Sequence, residues 1–143
     1  MNKSEVRILV VDDEQDILRS LKTHLELDGF GVEVANTAAE ALEKVRSAPV
    51  HIVLTDINMP QMDGIELLEE IKKIRGDITV IMITAYSSLM KVGNSRIHGA
   101  ADYVLKPFRE MSELDEVIEM AFRQIQRWDK VLAETVELKK KSR

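Results

Sequence analysis

The stretch Arg7-Ile8-Leu9-Val10-Val11-Asp12-Asp13-Glu14 decides the fold. Its short run rich in Val and Ile is the first of several that alternate with helical patterns, as strands of a parallel sheet do. The run then turns abruptly into three carboxylates, which puts acidic groups where the strand ends and the next element starts. Four apolar residues, Ile8 to Val11, are too few for a signal peptide or a membrane span, so the expected compartment is the cytoplasm.

The same pattern recurs outward from this stretch. Strand one is Arg7 to Val11, and Ile17, Leu18, Leu21 and Leu25 follow at helical spacing until Asp28 and Gly29 end the helix. Strand two is Gly31 to Ala35. Thr37 with Glu40 predicts a capping box opening a helix that turns Ala41, Leu42 and Val45 inward, and Pro49 closes the connection. Strand three, Ile52 to Thr55, leads into a loop with Pro60 and Gly64. Leu67, Leu68, Ile71 and Ile74 mark a third helix, expected to end at Gly76. Strand four, Thr79 to Thr84, reads as the central strand. The segment Ser87 to His98 should be helical by position, but Gly93, Asn94 and three serines make it the weakest helix former in the chain. Strand five is Asp102 to Leu105, followed by Pro107 and a helix that Ser112 and Asp115 are expected to cap. Repeated βα units of this kind specify an α/β fold around a parallel sheet.

The last helix is long. Leu114, Ile118, Ala121, Ile125, Trp128 and Leu132 alternate in steps of four and three, a coiled-coil seam that Thr135 breaks. Beyond about Ile125 no sheet remains to cover, so Trp128 and Leu132 face a partner chain, a neighbouring domain or solvent. Charge shifts at the same place. From Gln126 onward basic side chains outnumber acidic ones by three, which leaves −8 on the first 125 residues. The expected division is a compact domain over 1–125 and a helical extension or linker over 126–143.

Composition narrows the chemistry. The chain has 143 residues, 45% hydrophobic and 31% charged, with a net charge of −5 and no cysteine. This excludes a disordered chain, a disulfide framework, thiol catalysis and cysteine-ligated metals, and argues against direct nucleic-acid binding.

In a doubly wound parallel sheet the ligand site lies at the carboxyl ends of the strands. Those ends carry Asp12 and Asp13, Asp56, Thr84, and Lys106 before Pro107. Each has a plainer role alone: a cap for the aspartates, a strand end for Thr84, a solvated turn for Lys106. Together they bring three carboxylates, a hydroxyl and an ammonium to one crevice. Three close aspartates repel unless a cation joins them. With only oxygen donors, and with His24, His51 and His98 at no metal-binding spacing, that cation is Mg²⁺ rather than zinc. A metal, an ammonium and a hydroxyl are also what holds phosphoryl oxygens while a carboxylate attacks phosphorus, and Asp56 is the candidate nucleophile.

These residues resemble the receiver domain of two-component response regulators over nearly all of Lys3 to Gln126. The resemblance rests on Val10-Val11-Asp12-Asp13-Glu14, on Asp56-Ile57-Asn58-Met59-Pro60-Gln61-Met62-Asp63-Gly64, on Thr84-Ala85, and on Asp102-Tyr103-Val104-Leu105-Lys106-Pro107-Phe108. It implies a flavodoxin-like five-stranded sheet in the order 2-1-3-4-5. It also implies that Asp56 accepts a phosphoryl group from a sensor histidine kinase or phosphotransfer protein, an activity of a signalling domain that catalyses its own phosphorylation and dephosphorylation. By the resemblance Asp13 and Asp56 bind Mg²⁺ directly, Asp12 through water, and the Asn58 main-chain carbonyl completes the set. Thr84 and Tyr103 take switch roles that alter the surface of helix four, strand five and helix five. Asn58 and Tyr86 tune the access of water, with slow self-dephosphorylation expected, and the Lys106-Pro107 peptide bond is a candidate for the cis form. The weak fourth helix departs from the usual pattern and is expected to be mobile before phosphorylation.

The rival readings are an aspartyl-phosphate hydrolase, which lacks a second Asp at Asn58 and a cap, a flavin module, which lacks a phosphate loop after strand one, and a pseudo-receiver, against which the complete acceptor set speaks. Only 36 residues follow Pro107, too few for helix five and an output domain. The expected partner is therefore an output domain or protein, with a homodimer through the switch surface or the C-terminal helix as the form of self-association.

Overall fold

The computed structural model describes residues 1–85, 89–106 and 111–142. After a 3₁₀ turn at Lys3–Glu5, strands and helices alternate: β1 (Arg7–Val11), α1 (Gln15–Leu27), β2 (Gly31–Ala35), α2 (Ala38–Ser47), β3 (Ile52–Asp56), α3 (Gly64–Ile74), β4 (Thr79–Ala85), α4 (Leu89–Ile97), β5 (Asp102–Lys106) and α5 (Ser112–Lys141). All neighbouring strands are parallel, in the order β2-β1-β3-β4-β5. This is the flavodoxin-like order, in which the winding direction reverses beside β1 and opens a crevice at the carboxyl ends of β1 and β3. The middle place belongs to β3, not β4, although β4 has its neighbours on both sides.

Strand alternation builds two cores. Ile8, Val10, Ile52, Leu54, Ile81 and Ile83 face α1 and α5. Leu9, Val11, Val53, Val80 and Met82 face α2 and α3. Both faces of the inner strands are thus dry, and the β-branched runs in the sequence are the trace of that double burial. Three strands run one residue further than the sequence pattern suggests, because backbone pairing continues through the polar residues Asp56 and Lys106 and through Ala85. Asp56, Thr84 and Lys106 are therefore fixed on the ladder, while Asp12 and Asp13 stand just beyond the end of β1.

Helix ends follow the expectations unevenly. Gly29, at φ 109°, ends α1 in a backbone region open mainly to glycine. Thr37 Oγ1 accepts from the Glu40 N–H at 3.1 Å, but the Glu40 carboxylate accepts from the Asn36 N–H instead of closing the box on Thr37. Gly76 is not the stop of α3, which ends with Arg75 in an extended conformation. Ser112 is the first helical residue of α5 rather than its cap, a place taken by Met111, and Asp115 bonds His24 Nε2 at 2.6 Å across to α1.

The 30-residue α5 is covered only in its first half, where Leu114, Val117, Ile118, Ala121 and Phe122 are buried. Trp128 and Leu132 are 57% and 61% exposed. Thr135 interrupts the apolar seam but not the helix, since its hydroxyl donates to the Val131 carbonyl and the turns continue to Lys141. The extension leaves at the amino ends of the strands, where the Met1 ammonium meets Asp129 at 3.1 Å and Trp128 and Leu132 border an open groove with His51 and Thr79. Among the described residues no helix is long and apolar enough to cross a membrane.

Candidate functional site

The strand ends meet as the pattern requires. Asp12 follows β1, fully buried, with its N–H donating to the Ala35 carbonyl and its Oδ1 accepting from the Glu14 N–H at 2.9 Å. Asp13 beside it is exposed. Asp56 closes β3 with its side chain 9% exposed, its Oδ1 accepting from the Asn58 N–H at 3.1 Å. Lys106 closes β5 and places Nζ 2.7 Å from Asp12 Oδ2 and 3.3 Å from Asp56 Oδ2. Thr84 is fully buried one position before the end of β4, its hydroxyl donating to the Ala85 carbonyl at 3.1 Å.

Electrostatics explain why these groups need one another. Burial pushes the Asp56 carboxyl above the usual carboxylate value, Lys106 pulls it back down, and Asp12 raises it further. Burial alone would lower the Lys106 ammonium, but the hydrogen bond and charge of Asp12, joined by the charge of Asp56, outweigh it and hold the pKa above the ordinary lysine value. Three carboxylates against one ammonium leave two negative charges in the crevice. One oxygen from each of Asp12, Asp13 and Asp56 lies within 4.8 Å of the others, so the residues present fit a hard divalent cation bound through oxygen.

The loop after β3 is shaped by backbone crowding. A Cβ on Gly64 would lie 2.3 Å from the Asp56 carbonyl oxygen and 2.8 Å from Ile57 Cα, so only glycine lets α3 start this close to the strand end. The Gly64 N–H donates to the Ile57 carbonyl at 2.8 Å. Gln61 adopts φ 71°, inside a tight turn closed by the Met62 N–H on the Pro60 carbonyl. The sequence signalled a loop here through Pro60 and Gly64, but not the left-handed residue, which is neither glycine nor asparagine.

Other predicted residues divide. Tyr103 is 37% exposed on β5, with its ring outside the core. Tyr86 and Pro107 lie outside the described residues. The histidines take partners away from the crevice: His24 with Asp115, His98 with Glu69 at 3.2 Å, and His51, whose Nδ1 accepts from the Arg7 N–H at 2.9 Å. Burial, with Arg75 adding to it, lowers the His51 pKa, in keeping with a neutral ring that accepts. Sequence reasoning missed Lys91, whose Nζ donates to Asn58 Oδ1 at 3.0 Å from the first turn of α4.

Comparison with known proteins gives one answer. The family profile described as the response regulator receiver domain matches residues 8–119. The regulatory protein AtoC of Escherichia coli is 39% identical over 117 residues, covering 82% of this chain and 25% of AtoC. The transcriptional regulatory protein ZraR of Klebsiella oxytoca is 44% identical over 107 residues, covering 75% and 24%. The chain thus spans about a quarter of the length of these two relatives. Among solved structures, a CheY-like receiver domain protein from Methanospirillum hungatei is 39% identical with a TM-score of 0.77, covering 85% of this chain and 98% of that one. The response regulator TrrA of Thermotoga maritima, solved in complex with Mg²⁺-BeF, is 38% identical with a TM-score of 0.73, covering 81% and 98%. Neither the hydrolase nor the flavin reading accounts for matches of this extent. With the strand order and the convergent strand ends in place, the chain belongs to the response regulator receiver domain family.

Proposed function

We propose that Asp56 is the phosphoacceptor, taking a phosphoryl group from a phosphohistidine of a sensor kinase or phosphotransfer protein. The observation that carries this reading is the Asp56 carboxylate itself, nearly buried, 3.3 Å from Lys106 Nζ and within reach of two further carboxylates. A carboxylate oxygen forms the bond to phosphorus as the phosphorus–nitrogen bond breaks, and the electron pair leaves on the imidazole. Lys106 stands where it meets the negative charge of the transferred group, and the Asn58 N–H orients the acceptor carboxylate.

Asp12, Asp13, Asp56 and the main-chain carbonyl of Asn58 are the residues that would hold Mg²⁺. When bound, the ion supplies positive charge against the phosphoryl oxygens. The TrrA structure, solved with Mg²⁺-BeF, supports this choice of ion. Thr84 turns its hydroxyl from the Ala85 carbonyl to a phosphoryl oxygen, and Tyr103 moves from its exposed position into the space left. The surface of α4, β5 and α5 then changes for an output domain or partner, and self-association through that surface or the α5 extension is the form of dimer to expect. The relatives named as transcriptional regulators favour gene control as the output class.

The test is incubation with acetyl phosphate, with and without Mg²⁺, followed by intact mass. The wild type should gain one phosphate only with Mg²⁺, and Asp56→Asn should gain none. Uptake that survives Asp56→Asn, or a wild type that takes up nothing, would overturn the assignment.

A further inference from the structure

Lys91 sits where a lysine has little local reason to be. Every other helix whose first turn is described carries an acid there: Asp16 in α1, Glu40 in α2, Glu66 in α3, Glu113 and Asp115 in α5. The first turn of α4 has none and carries Lys91 instead, a cation at the positive end of the helix dipole. Its Nζ reaches across to the acceptor loop and donates to Asn58 Oδ1 at 3.0 Å, while the Asn58 N–H donates to Asp56 Oδ1 at 3.1 Å. One residue therefore joins α4 to the acceptor carboxylate, by its side chain on one side and its backbone on the other.

The amide has two chemically different ends. With the carbonyl oxygen turned toward Lys91, the NH₂ lies on the other arm of the amide, and it donates and does not accept. We propose that Lys91 is a positioning residue for the Asn58 amide: it turns the side-chain carbonyl toward α4 and away from the line along which water attacks, and so prolongs the life of the phosphorylated state. This rests on the reading of Asp56 as the phosphoacceptor. In the step concerned, a water oxygen bonds to phosphorus as the bond from phosphorus to the Asp56 oxygen breaks. The electron pair returns to the carboxylate, and the water protons go to the released phosphate and to solvent. A water without an acceptor for its O–H is less well aimed along that line.

The experiment is the decay of acetyl-phosphate-labelled full chain in Mg²⁺ for the wild type, Lys91→Ala, Lys91→Arg, Asn58→Ala and the double variant Asn58→Ala/Lys91→Ala. Lys91→Ala is expected to shorten the phosphoryl lifetime about 3- to 10-fold, the worth of one such hydrogen bond. Lys91→Arg restores the long lifetime, and in the Asn58→Ala background Lys91→Ala has no further effect. A merely structural loss in α4 would act equally in both backgrounds and would not be rescued by arginine, and that result sinks the proposal. Unchanged lifetimes on a normally labelled protein refute the Lys91 role alone, whereas a wild type that cannot be labelled refutes the reading of Asp56 and this proposal with it.

Discussion

α3 and α4 follow the two strands that carry Asp56 and Thr84, and they border the same crevice, yet they are held in different ways. The start of α3 is fixed by Asp63, whose Oδ1 accepts from both the Ile65 and the Glu66 N–H at 2.9 Å, and by Gly64 pressed against the strand backbone. Ile65, Leu67, Leu68 and Ile71 then bury its inner face. In α4 the first turn lacks an acid, Gly93 and Asn94 occupy the middle, and the buried residue among its described side chains is Ser95. In α3 the local sequence and the packing agree, since the cap, the glycine and the apolar face all specify the same helix. For α4 the local sequence contributes little, so the position of that helix is set by what it touches, including Asn58 through Lys91. An element with weak intrinsic support is one whose equilibrium a charge change in the crevice is able to bias.

Matched glycines break or confirm this contrast most sharply. Gly64→Ala forces a methyl group into the Asp56 carbonyl, and is expected to lower stability by about 3 kcal/mol, read as a fall in the urea midpoint at unchanged slope. A midpoint within error of the wild type would mean that the acceptor loop is not the rigid side.

A smaller effect is expected from Asp56→Asn, with the opposite sign. Because Asp56 titrates higher in the fold than in the unfolded chain, the fold holds the proton more tightly. Its contribution to stability is therefore favourable at low pH and is lost as pH rises through the folded-state pKa. Asp56→Asn removes that penalty, adding on the order of 1 kcal/mol at neutral pH in chelator and less as the pH falls toward the carboxylate range. Denaturation at pH 7 and pH 5 checks this, and a gain that grows toward acid would contradict it.

Smallest is Gly93→Ala. A Cβ there meets nothing within 4 Å, so the change adds helix propensity alone, about 0.8 kcal/mol at most. Amide exchange, expected to be faster in α4 than in α3, should slow in α4 and stay unchanged in α3. Equal protection of the two helices in the wild type would remove the contrast altogether.

How much was legible follows from the same physics. Periodicity exposed the alternating strands and helices because burial on both faces leaves little choice of residue at Ile8 to Val11 or Val80 to Ile83. Asp12, Asp56, Thr84 and Lys106 were legible because a parallel sheet brings its strand ends together whatever the loops do. Groups that meet through long side chains or through backbone crowding were not. Nothing in the spacing ties Lys91 to Asn58, 33 positions apart, and Gly64 looked like an ordinary loop glycine. Caps were read from residue type, but Glu40 found a neighbouring N–H and Asp115 a histidine on another helix. Those choices depend on the tertiary surroundings.

The uncovered half of α5 gives the molecule a pointer. At 1.5 Å per residue, the turns from Gln126 to Lys141 reach about 24 Å beyond the packed half. They leave from the side of the sheet opposite Asp56. A tilt of about 10° at the packed base would sweep the far end through roughly 4 Å, by the geometry of a rigid rod of that length. Movement too small to notice among packed side chains would arrive at the tip as a displacement of about three-quarters of a helical turn.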